Sequence, residues 1–124
     1  MKSFYVASKV KHAEMWKRVA RETGIRIVST WIHEAGEGQT VDYTELSQRC
    51  ISEISGASAF ILYCEPGEVH KGALIESGVA LTMGVHVYCV GTCDSLNRVF
   101  SAHPLWHESK SVNAAIVDAI VGDA

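Results

Sequence analysis

The chain has 124 residues, 48% of them hydrophobic and 20% charged, with a formal net charge of −3. That balance excludes an intrinsically disordered chain and fits one globular domain spanning residues 1–124. The slight acidity points away from a nucleic-acid polymer or an anionic membrane surface as partner, because both select basic surfaces.

Residues 3–8, SFYVAS, read as a first strand. The start MKSFYVAS lacks the long apolar run of a secretory leader, and no later run is long enough to span a bilayer. Residues 11–24 carry a helical stripe, Ala13, Trp16, Val19 and Ala20, that stops at Gly24. Residues 25–32, IRIVSTWI, are rich in β-branched side chains and predict a second strand. A polar loop, 33–40, leads into a second helix over 41–55, with Leu46, Cys50, Ile51 and Ile54 expected to face inward. SAFILYC, 58–64, is a continuous apolar run, as in a strand covered on both faces. After the loop EPGEVHKG come a buried helix over 73–84, a fourth strand over 85–91, a short fifth strand at LWHE, 105–108, and a closing helix over 109–121.

Strands alternating with helices predict an α/β fold: a small doubly wound, Rossmann-like parallel sheet of four to five strands flanked by helices. Ligands of such sheets bind beyond the carboxyl ends of the strands. Here that edge carries SKVKH, WIHEAGEG, EPGEVHKG and GTCDSLNRVFS. The four cysteines, Cys50, Cys64, Cys89 and Cys93, show no zinc-type CxxC pairing, and Cys64 and Cys89 fall in predicted buried strands. Free thiols in a reducing, cytoplasmic setting are expected, and a metal or redox pair of Cys89 and Cys93 is the disfavoured alternative.

Glu76 is the residue that calls for a reason. It stands alone among Ala73, Leu74, Ile75, Val79, Ala80, Leu81 and Met83. A carboxylate near a helix start gains roughly 0.3–1 kcal/mol from the helix dipole. On so apolar a helix, after a ligand-edge loop, a nucleophile or base kept ionised by that dipole is the better account. Ser8, Lys9 and Lys11 follow the first strand, where backbone N–H groups, a hydroxyl and two ammonium groups form an anion pocket. A Ser8 helix cap with solvated lysines fits the spacing equally well. Trp31 and His33 offer a ring to stack on a base and a hydrogen-bonding imidazole, against core packing and a solvent-facing ring. The GxGxxG and P-loop spacings are absent, and His70, His103 and His107 are scattered without a zinc motif. No metal and no cofactor are expected.

YVAS followed by Lys9, GALIESGVAL with Gly72 four residues before Glu76, and the strand VHVYCVG together resemble the nucleoside 2-deoxyribosyltransferase family. RVFSA, residues 98–102, is similar to a segment of its 2'-deoxynucleoside 5'-monophosphate N-glycosidase branch. The resemblance runs from Tyr5 to about Ser101. It implies that Glu76 attacks C1' of a (deoxy)nucleoside or nucleotide, the base leaves, and water or a second base resolves a covalent glycosyl-enzyme. It implies that Tyr5 orients Glu76, and that Ser8, Lys11 and the loop around Gly72 receive the 5' end. Ser101 matches the serine that reaches a phosphate in the neighbouring subunit, which implies a homodimer with shared sites. The chain departs from the pattern at the second helix, where Cys50 stands in place of the family's Asp. Glu53, Asp42 and Glu45 are the carboxylates on or beside that helix that could substitute.

The residues thus lead to an N-glycosidase or deoxyribosyltransferase-like enzyme on a nucleoside 5'-monophosphate. Two alternatives stand beside it. One is a catalytically impaired nucleotide-binding or nucleotide-sensing module using the same pocket. The other, a phosphoryl-transfer or NAD-handling enzyme, is disfavoured by the missing Gly-rich phosphate loop.

Overall fold

The structure, a computed structural model, describes residues 2–34, 42–93, 96 and 98–122. Most of the predicted loop over 33–40, and Asp94, Ser95 and Asn97 of the segment after the fourth strand, lie outside the described residues.

Five strands form one sheet: β1 Ser3–Ala7, β2 Arg26–Ile27, β3 Ala59–Tyr63, β4 His86–Val90 and β5 Trp106–Ser109. Their order is β2-β1-β3-β4-β5, and every pairing is parallel. The helices are α1 Ala13–Thr23, α2 Tyr43–Ser55, α3 Gly72–Thr82, α4 Arg98–Ser101 and α5 Val112–Val121. This is the doubly wound α/β architecture expected from the alternating pattern. The strand order reverses between β1 and β3, so the ligand crevice of the fold opens there.

Strand alternation decides which side chains reach that crevice. Tyr5, Phe60, Leu62 and Val87 pack on one face with Ile54 of α2 and Ala73 and Ala80 of α3. Phe4, Val6, Ile61 and Tyr88 pack on the other with Ala13 and Trp16 of α1 and Ala115, Ile116 and Ala119 of α5. Both faces are covered, which is why the inner strands read as unbroken apolar runs. Each large side chain removed from water there contributes roughly 1.5–3 kcal/mol. Two glycines are required by geometry. Gly24 ends α1 in the left-handed region at φ 74°. Gly91, at φ 87°, sits where a Cβ would meet the Cys64 carbonyl oxygen at 2.0 Å, so the ends of β3 and β4 approach only because no side chain intervenes.

Four expectations are corrected. The second strand shrinks from 25–32 to Arg26–Ile27, and a 3₁₀ turn, Thr30–His33, follows it. The Ser29 hydroxyl accepts from the Val6 N–H at 3.0 Å and the Trp31 indole N–H donates to the Val6 carbonyl at 2.8 Å. Side chains thus complete the edge of β1 where a longer β2 would have paired. Ile51, expected inside α2, is 46% exposed. Helix α3 is not buried throughout: Ala73, Ser77 and Ala80 are inside, whereas Ile75 is 71% exposed. Finally, α3 starts at Gly72, which puts Glu76 past the first turn, and no acidic residue occupies that turn.

Candidate active site

β1 presents Tyr5 toward α3, and α3 presents Glu76 toward β1. The Tyr5 hydroxyl donates a hydrogen bond to Glu76 Oε2. The Tyr5 ring is fully buried and stacks on Phe60, with centroids 5.3 Å apart, so the hydroxyl is held in place. Burial and the adjacent Glu76 charge push the Tyr5 hydroxyl well above its ordinary pKa, so it stays a donor. Glu76 is half-buried. Burial raises its carboxyl above the usual carboxylate range, Glu53 adds to the rise, and the bonds from Tyr5 and Cys50 oppose it. The expectation that the helix dipole keeps Glu76 readily ionised is corrected: desolvation outweighs the donors, and the first helical turn lies N-terminal to it.

Glu76 lines a pocket of about 400 Å³ together with Ser8, Lys9, Val10, Trp31, Leu46, Cys50, His70, Lys71, Gly72 and Ala73. The volume suits a small organic ligand. Of the sequence candidates, Ser8, Lys9, Trp31 and Gly72 meet here with Glu76, and Tyr5 stands behind it. Ser8 is not a helix cap. Its hydroxyl donates to the Lys9 carbonyl at 2.9 Å and accepts from the Trp16 indole at 3.0 Å, while Lys9 begins the 3₁₀ turn Val10–His12 without a side-chain cap. A Cβ on Gly72 would meet nothing within 4 Å, so the residue leaves space on the pocket side of the helix start rather than relieving a clash.

Three candidates are not brought to this pocket. Lys11 faces the neighbouring depression with Gly67, Glu68 and Val69, and its ammonium lies 3.4 Å from Glu68 Oε2. His33 is exposed, because the 3₁₀ turn that carries Trp31 inward rotates His33 outward. Ser101 lies in α4, next to Phe100 of a separate apolar groove formed with Leu74, Ile75, Leu81, Leu96 and Trp106.

The second helix brings Cys50 beside both Tyr5 and Glu76, and burial pushes its thiol up, so it stays protonated. None of the carboxylates considered as substitutes reaches the pocket. Asp42 accepts from the Glu45 N–H and caps α2. Glu45 pairs with Arg49 at 2.9 Å, and Arg49 also pairs with Glu34. Glu53 accepts from the Thr30 hydroxyl at 2.6 Å. Among the described residues, Glu76 is the one carboxylate lining this pocket.

Beside the pocket, and meeting its wall at His70, stand His12, Glu65 and Glu68; in the sequence His70 is only one of three scattered histidines, and nothing there groups these four residues. Burial would raise the Glu68 carboxyl, but the Glu65 N–H, His12 and Lys11 outweigh it and hold it at about 2. The spacing carries no motif, so only the pairing of β1 with β3 reveals the cluster.

No protein-family model matches the sequence, and no curated protein matches it in sequence. Solved structures do match in fold. A 2-deoxyribosyltransferase from the psychrotolerant bacterium Bacillus psychrosaccharolyticus superposes with a TM-score of 0.68 at 17% identity, over 90% of this chain and 88% of that one. The Clostridium botulinum CMP N-glycosidase BcmB superposes with a TM-score of 0.62 at 14% identity, over 98% of this chain and 99% of that one. The fold implied by the sequence resemblance is therefore the fold observed. Among the described residues, no helix is long and apolar enough to cross a membrane.

Proposed function

We propose that the chain is an enzyme that cleaves the N-glycosidic bond of a nucleoside 5'-monophosphate, with Glu76 as nucleophile. The observation that supports this most is the Tyr5–Glu76 hydrogen bond in the wall of a pocket that also offers Ser8, Lys9, Lys71 and Trp31. The likeness in fold to a 2-deoxyribosyltransferase and a CMP N-glycosidase points the same way.

In this reading Glu76 attacks C1' of the sugar, the C1'–N bond breaks, and its electron pair leaves with the base. The oxocarbenium-like charge that develops at C1' is met by the carboxylate. Tyr5 holds Glu76 at the attacking angle and favours its ionised form. Trp31 offers a face to the base, and Ser8, Lys9 and Lys71 receive the 5'-phosphate, with Lys11 further out. Water then cleaves the glycosyl ester in a hydrolase, or a second base does so in a transferase. Glu76 must be ionised to attack, so its raised pKa makes the rate climb with pH through that pKa.

A homodimer belongs to the proposal. Ile75, Val99 and Phe100 are exposed apolar residues around the groove next to Ser101. A second copy on that face would cover them and carry Ser101 toward its partner's phosphate. The chain acts as one domain without a cofactor, and its free thiols fit a reducing, cytoplasmic setting.

Cys50 supports a second reading, a nucleotide-binding module. A thiol with a raised pKa cannot relay a proton to the departing base as a carboxyl does. Incubation with ribo- and deoxynucleoside 5'-monophosphates and the matching nucleosides, with free base followed by chromatography, separates the two. Base release from a monophosphate that is lost in Glu76→Gln supports the enzyme. No release, with a monophosphate still raising the melting temperature, supports the binder.

A further inference from the structure

His12 ends the 3₁₀ turn after β1, while Glu65, Glu68 and His70 stand in the loop after β3. Parallel pairing of the two strands brings them together. One donor atom each from His12, Glu65 and Glu68 lies within 4.8 Å of the others. His12 Nε2 is 2.8 Å from Glu68 Oε2 and 3.8 Å from Glu65 Oε1. On the other side of the same carboxylate, His70 Nε2 is 3.4 Å from Glu68 Oε1. That nitrogen is buried and makes no hydrogen bond, on a side chain only 1% exposed. An unsatisfied buried polar atom is costly, and few are retained without a reason.

From this geometry we propose that His12, Glu65 and Glu68 form a binding site for one divalent transition-metal ion, with His70 standing behind Glu68, its buried Nε2 3.4 Å from Oε1. Imidazole and carboxylate donors together suit Zn²⁺, whereas Mg²⁺ and Ca²⁺ select oxygen-only sets. Outer contacts already orient the donors. The Tyr63 hydroxyl donates to Glu65 Oε2 at 2.7 Å, and the Glu65 N–H donates to Glu68 Oε1 at 2.9 Å. Such contacts fix ligand geometry in metal sites. Lys11 Nζ, 3.4 Å from Glu68 Oε2, is a cation already drawn to this place, and its side chain is 64% exposed. It moves into water when a doubly charged ion takes over the carboxylate. A bound ion joins the loops after β1 and β3, and so braces Lys9 and Lys71 in the wall of the Glu76 pocket. The site stands independently of the reaction assigned to Glu76.

The test is calorimetric titration of chelator-stripped protein with ZnCl₂, with Co²⁺ as a spectroscopic probe. The expected result is one equivalent bound, a raised melting temperature in Zn²⁺, and cobalt d–d absorption without a thiolate charge-transfer band. Glu65→Gln and Glu68→Gln should each weaken binding by about 10-fold or more. Glu68 is nearly buried, so Glu65, 42% exposed, gives the decisive variant. Its melting temperature without metal should match that of the parent. No Zn²⁺ binding, or binding unchanged in Glu65→Gln, overturns the proposal. A thiolate band overturns it too, by putting the ion on a cysteine, with the partly exposed Cys50 included.

Discussion

Glu76 and Glu68 flank the same crevice at the carboxyl edge of the sheet, yet the fold treats them in opposite ways. Both are partly or largely withdrawn from water, and desolvation alone would raise both carboxyls. Glu68 is surrounded by a backbone N–H, an imidazole and an ammonium, which hold it at about 2. Glu76 has a phenol and a thiol for company, so burial wins and its carboxyl rises. The first is a satisfied charge that ties two loops together. The second is a poorly satisfied one, kept beside a pocket, and that is the character expected of a group that reacts. Burial is thus a weak guide to the role of an acidic residue, and the donors around it are a strong one.

The largest effect should come from removing the reactive carboxylate. Glu76→Gln should lower base release by at least about 10³-fold. Retention of full release would erase the distinction drawn between the two residues. Tyr5→Phe comes next. Loss of a hydrogen bond to a charged group, about 1.5–3 kcal/mol, should slow turnover roughly 10- to 100-fold. The hydroxyl favours the ionised carboxylate, so without it the rising limb of the pH–rate profile should move to higher pH. A limb that stays in place would mean that Tyr5 does not act on Glu76.

Stability sharpens the contrast because the two neutral variants should move it in opposite directions. Glu76 has a raised pKa in the folded state, so its ionisation weakens the fold once the pH exceeds the usual carboxylate range. Glu76→Gln should therefore be more stable than the parent at neutral pH by about 1 kcal/mol, with the gain vanishing in acid. Glu68 has a lowered pKa. Its contribution is complete above 4.5 and is lost as the pH falls toward about 2. Glu68→Gln should cost about 1–3 kcal/mol at neutral pH and flatten the acid limb of the stability curve. Thermal melts from acid to neutral pH would show this, and shifts of the same sign in both variants would break the contrast. The smallest effect should lie at the crevice rim. Trp31→Ala should weaken nucleotide binding about 10-fold, and His33→Ala should change it less than about twofold. A His33 effect as large as that of Trp31 would mean that the 3₁₀ turn rearranges on binding.

Much of the fold was legible because its signals are local. The runs at Ala59–Tyr63 and His86–Val90 have the unbroken apolar character of strands covered on both faces, and Gly24 marks the end of α1. IRIVSTWI has the composition of a strand along its whole length, although only Arg26–Ile27 forms one. Its tail is instead diverted by the Ser29 hydroxyl and the Trp31 indole, which bond to Val6 across the chain. The site divides in the same way. Glu76 was conspicuous as one charge on an apolar helix, and Tyr5, Ser8, Lys9, Trp31 and Gly72 lie near it because strand ends converge at the switch point. Lys11, His33 and Ser101 stand outside this pocket, the first two because the rotation of a side chain in a 3₁₀ turn cannot be read from composition, the third because α4 lies by a separate groove. The His12–Glu68–His70 grouping joins residues more than fifty positions apart, and nothing in the sequence links them before β1 and β3 pair.

The most direct test of the nucleophile is to trap the covalent intermediate. The protein would be quenched in acid during turnover of a nucleoside 5'-monophosphate, digested, and its peptides weighed by mass spectrometry. The expected result is a sugar-phosphate adduct on the peptide carrying Glu76, absent from Glu76→Gln. Base release at the parental rate by Glu76→Gln, with no adduct on that peptide in the parent, would contradict the assignment.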